Sequence, residues 1–483
     1  MTAIALIVDN PQRDLRGLVL LAAELAARGI RAVLVPMYLV HEAIGLAPSL
    51  VVLNYVRTHS SPLVASLDAA GLKVAVLDTE GGVFANLDHL FKILSSDAAT
   101  CSVISGYCCW GPGVAGPLVA RGMFCPERVH VTGCPRFDFY AEPWLSIQDS
   151  SSAAAVADPI LLVNGAFPLA NPGYQTREQE AAMLVRTFGY DEAEVRGWQQ
   201  TQAQTIRAMI EMTVDLAREF PDATVVYRPH PFEQLKTYED PFRNVPNVQL
   251  RREGTVDGWI LRSRAVIQRN CSTAIEAGLA GVPAFLPAWI PTYAPVPAAE
   301  AVSIHEPTFA ALAADIRRVL ADDFTPPPEI AIALHETIAT WFHAVDGCGH
   351  RRVADVLEPL ATGGDGADRV KRCRDVFRGI SPTAGAFERA ARQFVGRCLD
   401  PVRPIVRRLR PTSYTRRFYE SDKFFDATAV SSILDSLRTV PEGARCFRNV
   451  QVRPAELGRD YHIGCTTRAS VVIESTSGSR KEC

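Results

Sequence analysis

An alternation of short apolar segments with helical segments, repeated twice along 483 residues, restricts the fold of this chain more than any other feature. In the first run the apolar segments are rich in β-branched residues and lie at 4–8, 32–35, 50–54, 74–77, 103–108 and 129–131. Short strands that alternate with helices form βαβ units and therefore a parallel sheet. A Ser/Ala-rich stretch at 149–155 then interrupts the pattern, which predicts a linker.

The alternation restarts after this linker, with strand-like segments at 160–163, 224–227, 248–250, 265–268 and 282–286. The sequence thus predicts an α/β protein with two doubly wound, Rossmann-like domains at 1–145 and 156–360 that face each other across a cleft. A helical and partly irregular, basic extension is predicted at 361–483. Ligands of open α/β sheets bind beyond the carboxyl ends of the strands, so the site residues are expected there.

The composition excludes several classes of protein. The net charge is -3, which gives no overall basicity for binding nucleic acid. The sequence contains no run of about 18 apolar residues, so no membrane span is predicted. The apolar N-terminus lacks the basic start of a signal peptide, and a cytoplasmic location is therefore expected. The 12 cysteines form no CxxC pair or Cys/His cluster, which argues against structural zinc, and Cys108 and Cys109 are predicted to be buried thiols.

One candidate for binding chemistry is Arg228-Pro229-His230-Pro231, which follows a predicted strand. Each proline fixes its own φ and restricts the residue before it, so His230 is held rigidly at the sheet edge. Its imidazole can donate to a phosphate oxygen, and Arg228 adds a planar cationic group. The alternative is a packing histidine in a tight turn.

A second candidate is a polar turn between a strand and a helix, with Gln268, Asn270, Ser272 and Thr273. Hydroxyl groups and unpaired N–H groups in a first helical turn form an anion site. Glu276, one turn further along, can accept the two hydroxyls of a ribose. The alternative is simple capping by Ser272 with Glu276 on the helix surface.

The loop after the first strand of the second half carries Asn164, and it is equivalent to the loop that ends the first strand of the first half.

The first half offers Asp78-Thr79-Glu80-Gly81-Gly82 directly after a strand. Two carboxylates this close raise the pKa of one of them, which suits a general base or a nucleophile. The glycines allow a ligand to approach the backbone. The alternative is an acidic turn of the kind that is common in βα connections.

Two further loops are predicted to line the same cleft. One carries Asn10 and Arg13, and the other carries Arg136 and Asp138. Arg136 and Asp138 either contact ligand or pair with each other to fix the domain junction.

The Arg- and Pro-rich segment at 389–417 has two interpretations. It is either a solvated arm packed across the body or a basic amphipathic surface that contacts anionic lipid or a lipid-linked acceptor. A chain cut at Gly364 is expected to lose any membrane contact and to keep its fold.

Over roughly its first 350 residues the chain resembles the surface carbohydrate biosynthesis protein family of bacterial polysaccharide clusters. The resemblance is carried by Val8-Asp9-Asn10-Pro11 with Arg13-Asp14, by Leu77-Asp78-Thr79-Glu80-Gly81-Gly82, by Thr132-Gly133-Cys134-Pro135-Arg136-Phe137-Asp138-Phe139 and by Arg228-Pro229-His230-Pro231. More distantly it is similar to GT-B enzymes that use cytidine nucleotides, namely Kdo and sialic acid transferases and the glycerophosphotransferases of teichoic acid synthesis.

The resemblance implies a GT-B glycosyltransferase of lipopolysaccharide or capsule synthesis. It places His230-Pro231 and Ser272-Thr273 at the donor phosphate and a catalytic carboxylate at Asp78 or Glu80. A sugar, Kdo-like or sialic acid-like and CMP-linked, is expected to move onto a surface glycan or its lipid-linked precursor. Neither metal nor cofactor is expected, and peripheral contact with the inner membrane face is the only membrane association foreseen.

Two other functions fit the same two-domain pattern. A nucleotide-sugar 2-epimerase needs acid and base groups at the sugar but no acceptor groove. A non-catalytic GT-B scaffold of a polysaccharide assembly complex needs no nucleotide at all.

Overall fold

A computed structural model describes residues 2–84, 86–94, 97–147, 155–362, 366–380, 423–455 and 470–476. The chain folds into two compact units, of which the first comprises residues 1–82, 93–147 and 342–483. The second comprises residues 83–92 and 148–341.

The first unit is built on an eight-stranded sheet. Its N-terminal strands are β1 (Ala3–Val8), β2 (Arg31–Pro36), β3 (Leu50–Leu53), β4 (Lys73–Leu77), β5 (Ile104–Cys109) and β6 (Val129–Val131). The helices that follow these strands along the chain are α1 (Pro11–Ala27), α2 (Glu42–Gly45), α3 (Ser61–Ala69), α4 (Leu87–Ile93), α5 (Ala98–Val103) and α6 (Pro112–Ala120). Of these, α4 belongs to the second unit except for its last residue. These six strands run parallel in the order β2-β1-β3-β4-β5-β6, so the direction of winding reverses between β1 and β3.

Helix α1 shows how the sequence sets this part of the fold. Asn10 is extended and its side chain accepts the N–H of Gln12, while Pro11 occupies the first helical position. Asp14 lies in the first turn and accepts the N–H of Asn10 at 3.0 Å. The helix packs its long apolar face into the core cluster that also holds β1 and β2.

The second unit is built on a six-stranded, fully parallel sheet. Its strands are β7 (Ile160–Asn164), β8 (Thr224–Arg228), β9 (Val248–Leu250), β10 (Ser263–Gln268), β11 (Ala284–Pro287) and β12 (Ile304–Glu306). Its helices are α7 (Arg177–Phe188), α8 (Glu192–Glu219), α9 (Lys236–Phe242), α10 (Val256–Arg262), α11 (Thr273–Leu279), α12 (Pro297–Ala301), α13 (Phe309–Leu320) and α14 (Pro328–Trp341).

The strand order of this sheet is β12-β11-β10-β7-β8-β9, so the winding reverses between β7 and β10. A crevice opens at such a switch point because the loops that leave the two neighbouring strands turn to opposite faces of the sheet. The predicted fold class, α/β with two doubly wound, Rossmann-like units, is confirmed.

The C-terminal elements return to the first unit. They are α15 (Gly349–Ala361), α16 (Gly366–Ile380), α17 (Ala427–Leu437), α18 (Pro441–Cys446), β13 (Val450–Pro454) and β14 (Val471–Ser475). Strand β14 pairs antiparallel with β2, and β13 extends the sheet beyond β14. The chain is therefore grouped differently from the predicted 156–360 domain and separate 361–483 extension.

The physical reason is the apolar surface of these elements. Val353 and Leu357 of α15, with Phe425 and Ile473 further along the chain, are buried in the same core cluster as α1. Strand β14 also pairs with the backbone edge of β2, which otherwise exposes unpaired N–H and C=O groups. The expectation that a chain cut at Gly364 keeps its fold is contradicted by this packing.

No helix within the described ranges is long and apolar enough to cross a membrane. The basic segment 389–417, proposed above to contact anionic lipid, lies outside the described residues.

Candidate functional site

The carboxyl ends of three adjacent strands meet at the switch point of the second sheet. Asn164 at the end of β7 is in register with Gln268 of β10 on one side and with Arg228 of β8 on the other. The Asn164 side chain is buried and its Nδ2 donates to Oγ1 of Thr273 at 3.0 Å. The structure thus brings together three segments that the sequence singled out separately.

Gln268 shapes the turn that follows β10. It is fully buried, its Oε1 accepts the N–H of Cys271 at 2.7 Å and its Nε2 donates to Ser303 at 3.1 Å. These bonds occupy both ends of the side-chain amide, so Gln268 positions the turn. Among the described residues, Oδ1 of Asn270 is one of the buried side-chain oxygens that have no hydrogen-bond partner.

The start of α11 differs from simple capping. Ser272 is exposed, its backbone is already helical and its side chain makes no capping hydrogen bond. Glu276 is buried rather than placed on the helix surface.

His230 is held in one tautomer by its own loop. Its Nδ1 accepts the backbone N–H of Phe232 at 3.2 Å. The Phe232 ring packs edge-on against the imidazole, with 5.0 Å between the ring centroids. A ring nitrogen that accepts a hydrogen bond carries no proton, so in the neutral ring the proton lies on Nε2. The loop therefore fixes Nε2 as the protonated ring nitrogen.

Glu233, which the sequence analysis missed, fixes this loop. Its buried carboxylate accepts the N–H of His230 at 2.8 Å and the N–H of Phe167 at 3.0 Å, and the Tyr238 hydroxyl also donates to it. Burial raises its pKa against the opposing effect of these hydrogen bonds. No local signal in the sequence indicated this role, because the burial of the Glu233 side chain is decided by the fold.

Replacing Glu233 with Gln is expected to destabilise the second unit by about 1–3 kcal/mol. The amide keeps the size of the carboxylate but turns an NH₂ group toward donors that need an acceptor. Urea unfolding followed by circular dichroism measures the loss. Glu239→Gln on the exposed side of α9 is the control, with a change expected within about 0.5 kcal/mol. Equal stabilities of the two variants would contradict the role given to Glu233.

The Arg228 side chain holds the loop after β9 in place. Its guanidinium donates to the carbonyl oxygens of Glu253 and Gly254 at 2.7 and 3.0 Å and lies over the Trp259 ring. Burial lowers its pKa to about 10. The cation near His230 comes from Arg252, which donates to the carbonyl oxygen of Pro231 and to the Tyr174 hydroxyl. Arg252 was not identified from the sequence.

In the first unit the two candidate carboxylates have different surroundings. Asp78 is 1% exposed and accepts two hydrogen bonds from Arg57, at 2.7 and 3.1 Å, and one from the Tyr107 hydroxyl at 3.1 Å. It also accepts the backbone N–H of Glu80 at 2.9 Å. Burial opposes the charge on Arg57, but the Asp78 charge outweighs it and raises the Arg57 pKa. Asp78 is a fully satisfied carboxylate.

Glu80 is the exposed member of the pair, with 63% of its side chain accessible. Its Oε1 accepts from Arg13 Nη1 at 3.2 Å. Arg13 also binds Asp9 at 2.7 Å and Asp14 at 2.8 Å, so one guanidinium serves three carboxylates. Of the two candidate carboxylates, Glu80 is therefore the one that a molecule outside the protein can reach.

Gly81, directly after Glu80, has a local steric role. A Cβ on Gly81 would lie 2.9 Å from the Trp110 ring, whose Nε1 donates to the carbonyl oxygen of Asp78 at 2.7 Å. Gly82 ends the first segment of this unit.

Asp138 acts at the start of α15. It accepts the N–H groups of Gly349 and His350 at 2.7 and 2.8 Å, and it pairs with His350 Nδ1 at 2.8 Å. The Arg136 guanidinium lies over the rings of Trp110 and Phe137. Asp138 therefore anchors the returning C-terminal helix.

Cys108 and Cys109 are buried as predicted, and burial raises the pKa of Cys108 to about 12. Among the described residues, no group of three or more His, Cys, Asp or Glu side chains is arranged to hold a metal ion.

No protein family and no curated protein matches this sequence. Among solved structures, the UDP-GlcNAc 2-epimerase from Neisseria meningitidis bound to UDP-GlcNAc is 13% identical, covers 74% of this chain and 100% of that chain, and gives a TM-score of 0.45. The Methanocaldococcus jannaschii UDP-GlcNAc 2-epimerase in complex with UDP-GlcNAc and UDP is 12% identical, covers 74% of this chain and 100% of that chain, and gives a TM-score of 0.45. The wall teichoic acid polymerase TagF is 12% identical, covers 74% of this chain and 88% of that chain, and gives a TM-score of 0.45. These three likenesses are too distant to assign an activity to this chain.

Proposed function

We propose that this protein is a glycosyltransferase that moves a sugar from a nucleotide donor onto a bacterial surface glycan or its lipid-linked precursor. The observation that supports this most is the His230 loop at the switch point of a Rossmann-like sheet. There a rigid imidazole carries its proton on Nε2, and the carbonyl oxygen of the next residue, Pro231, accepts from the Arg252 guanidinium. An N–H donor and a nearby cation complement a phosphate oxygen.

In this proposal the second unit binds the donor nucleotide. His230 Nε2–H donates to the donor phosphate, the Thr273 hydroxyl held by Asn164 contacts the same group, and the acceptor oxygen of Asn270 meets a donor of the base or the ribose. CMP-linked sugars of the Kdo or sialic acid kind are the donors proposed, on the resemblance described above. The reaction is proposed to need no metal.

The first unit supplies the general base. Glu80 takes the proton of the acceptor hydroxyl while the oxygen of that hydroxyl bonds to the anomeric carbon of the donor sugar. The bond from that carbon to the phosphate breaks, and the electron pair leaves with the nucleotide. Arg13 keeps Glu80 oriented and charged before the proton moves.

Nucleotide binding tests the donor site. Wild-type protein is expected to bind CMP, CDP, UDP or GDP in a thermal-shift screen, followed by calorimetry with the best of them. His230→Ala is expected to weaken that affinity about 10- to 100-fold, since a hydrogen bond to a charged group contributes about 1.5–3 kcal/mol. His335→Ala, exposed on α14 of the same unit, is the matched control and is expected to keep wild-type affinity.

Three outcomes would contradict the proposal. Unchanged affinity in His230→Ala removes the donor-site assignment. Wild-type protein that binds none of the four nucleotides favours a non-catalytic scaffold. Isomerised product after incubation with UDP-GlcNAc alone favours a 2-epimerase.

A further inference from the structure

We propose that Lys423, from the C-terminal part of the chain, is a positioning residue of the Glu80 site and sets the charge around that carboxylate. This inference rests on the proposed role of Glu80 as general base. Nothing in the sequence pattern connected Lys423 with the first 100 residues, because more than 300 positions separate it from them.

Lys423 is a buried cation at the carboxyl end of β1. Its side chain is 4% exposed and its Nζ lies 2.8 Å from Oδ1 of Asp9, the first residue after that strand. A buried ammonium group is costly unless it is paired. Phe425, two residues on, is buried in the core cluster of the first unit and anchors this segment.

The pair is the first link of a chain of charges. Oδ1 of Asp9 binds Lys423, while its Oδ2 binds Arg13 Nη2 at 2.7 Å. Asp14 holds Arg13 Nε at 2.8 Å, and Arg13 Nη1 faces Glu80 at 3.2 Å. Lys423 thus fixes Asp9, Asp9 and Asp14 fix the plane of Arg13, and Arg13 orients Glu80.

Lys423 also supplies positive charge to this cluster, in addition to holding Asp9 in place. Asp9, Asp14 and Glu80 carry three negative charges, and Arg13 and Lys423 carry two positive ones. Without Lys423, a single guanidinium would serve three carboxylates. Elsewhere in the part of the chain that the structure describes, the ion pair of Arg57 with Asp78 also acts on this cluster, and so does the Tyr55 hydroxyl through the charges of Asp9 and Glu80.

The expected consequence for a reaction is a shift in pH dependence. A carboxylate that loses a nearby cation holds its proton to higher pH. In Lys423→Met the acidic limb of the pH–rate profile for nucleotide release from a CMP-linked sugar is expected to move up by about half a pH unit or more, with kcat reduced and the affinity for CMP unchanged. Lys423→Arg is expected to restore the wild-type profile, and Lys371→Met, an exposed lysine of α16, is expected to leave it unchanged.

A stability cycle tests the coupling without any assay of activity. The Tm loss caused by Lys423→Met is expected to be larger when Glu80 is present than in the Glu80→Gln background, by about 1 °C or more. The reason is that removing Glu80 relieves the excess of negative charge. Lys423→Gln, which can still donate to Asp9 but carries no charge, serves as a second variant if the methionine variant does not fold.

The outcomes separate this inference from the proposed function. Equal Tm losses in the two backgrounds, or a wild-type pH profile in both uncharged variants, would overturn the role of Lys423. If wild-type protein releases no nucleotide from any donor, the proposed function fails, while the Tm cycle still decides whether Lys423 and Glu80 are coupled.

Discussion

A chain that ends at Thr362 is expected not to form the first folded unit. Strands β13 and β14 and helix α17 are lost in it, and with them the cover of β2 and of α1. Limited proteolysis measures the effect: the second unit is expected to survive as a resistant fragment, and the first to be cleaved throughout. Resistance of both units would contradict the place assigned to the C-terminal elements.

A single substitution tests the same packing in a chain that still folds. Ile473 of β14 is fully buried, and Ile473→Ala is expected to cost about 2–5 kcal/mol because it leaves a cavity in the core. Gln451→Ala on the exposed side of the neighbouring strand β13 is the control, expected within about 0.5 kcal/mol. Hydrogen exchange of the first unit distinguishes the two, and equal exchange rates would argue against a structural role for β14.

Substitution of the two candidate carboxylates is expected to separate stability from turnover. Asp78→Asn leaves Arg57 buried without its counter-charge, at a cost of about 3–5 kcal/mol. Glu80→Gln removes an exposed carboxylate and is expected to change stability by no more than about 1 kcal/mol. Nucleotide release from the donor is expected to fall about 10²- to 10⁴-fold in Glu80→Gln, as on loss of a general base.

The measurements are urea unfolding for stability and nucleotide release under saturating donor for turnover. Glu358→Gln, on a partly buried ion pair with Arg28 elsewhere in the same unit, controls for the loss of one surface charge. A stable Asp78→Asn variant that has lost turnover, beside an active Glu80→Gln variant, would reverse the two roles.

Except for β12, the strands of the two parallel sheets and their carboxyl-end loops were predictable because each is a local pattern. A run such as 224–227 is apolar and β-branched, and Pro229 and Pro231 restrict the backbone on either side of His230. Every segment chosen for chemistry lies at the carboxyl end of a strand in the structure. That much follows from strand–turn–helix order.

The choice between neighbouring residues did not follow from order. Asp78 and Glu80 are two positions apart, and only the tertiary structure buries the first against Arg57 and exposes the second beside Arg13. The tautomer of His230 likewise depends on the fold of residues 230–233, in which Phe232 donates to Nδ1.

By itself the sequence determined the class of fold, the number of doubly wound units and the loops that carry polar groups, because these depend on periodicity and on residues close in the chain. The tertiary structure decided that the C-terminal elements belong to the first unit, that Glu233 holds the His230 loop and that Lys423 reaches Asp9. Buried charges require partners, and those partners come from wherever the folded chain places them, at separations that no local pattern records.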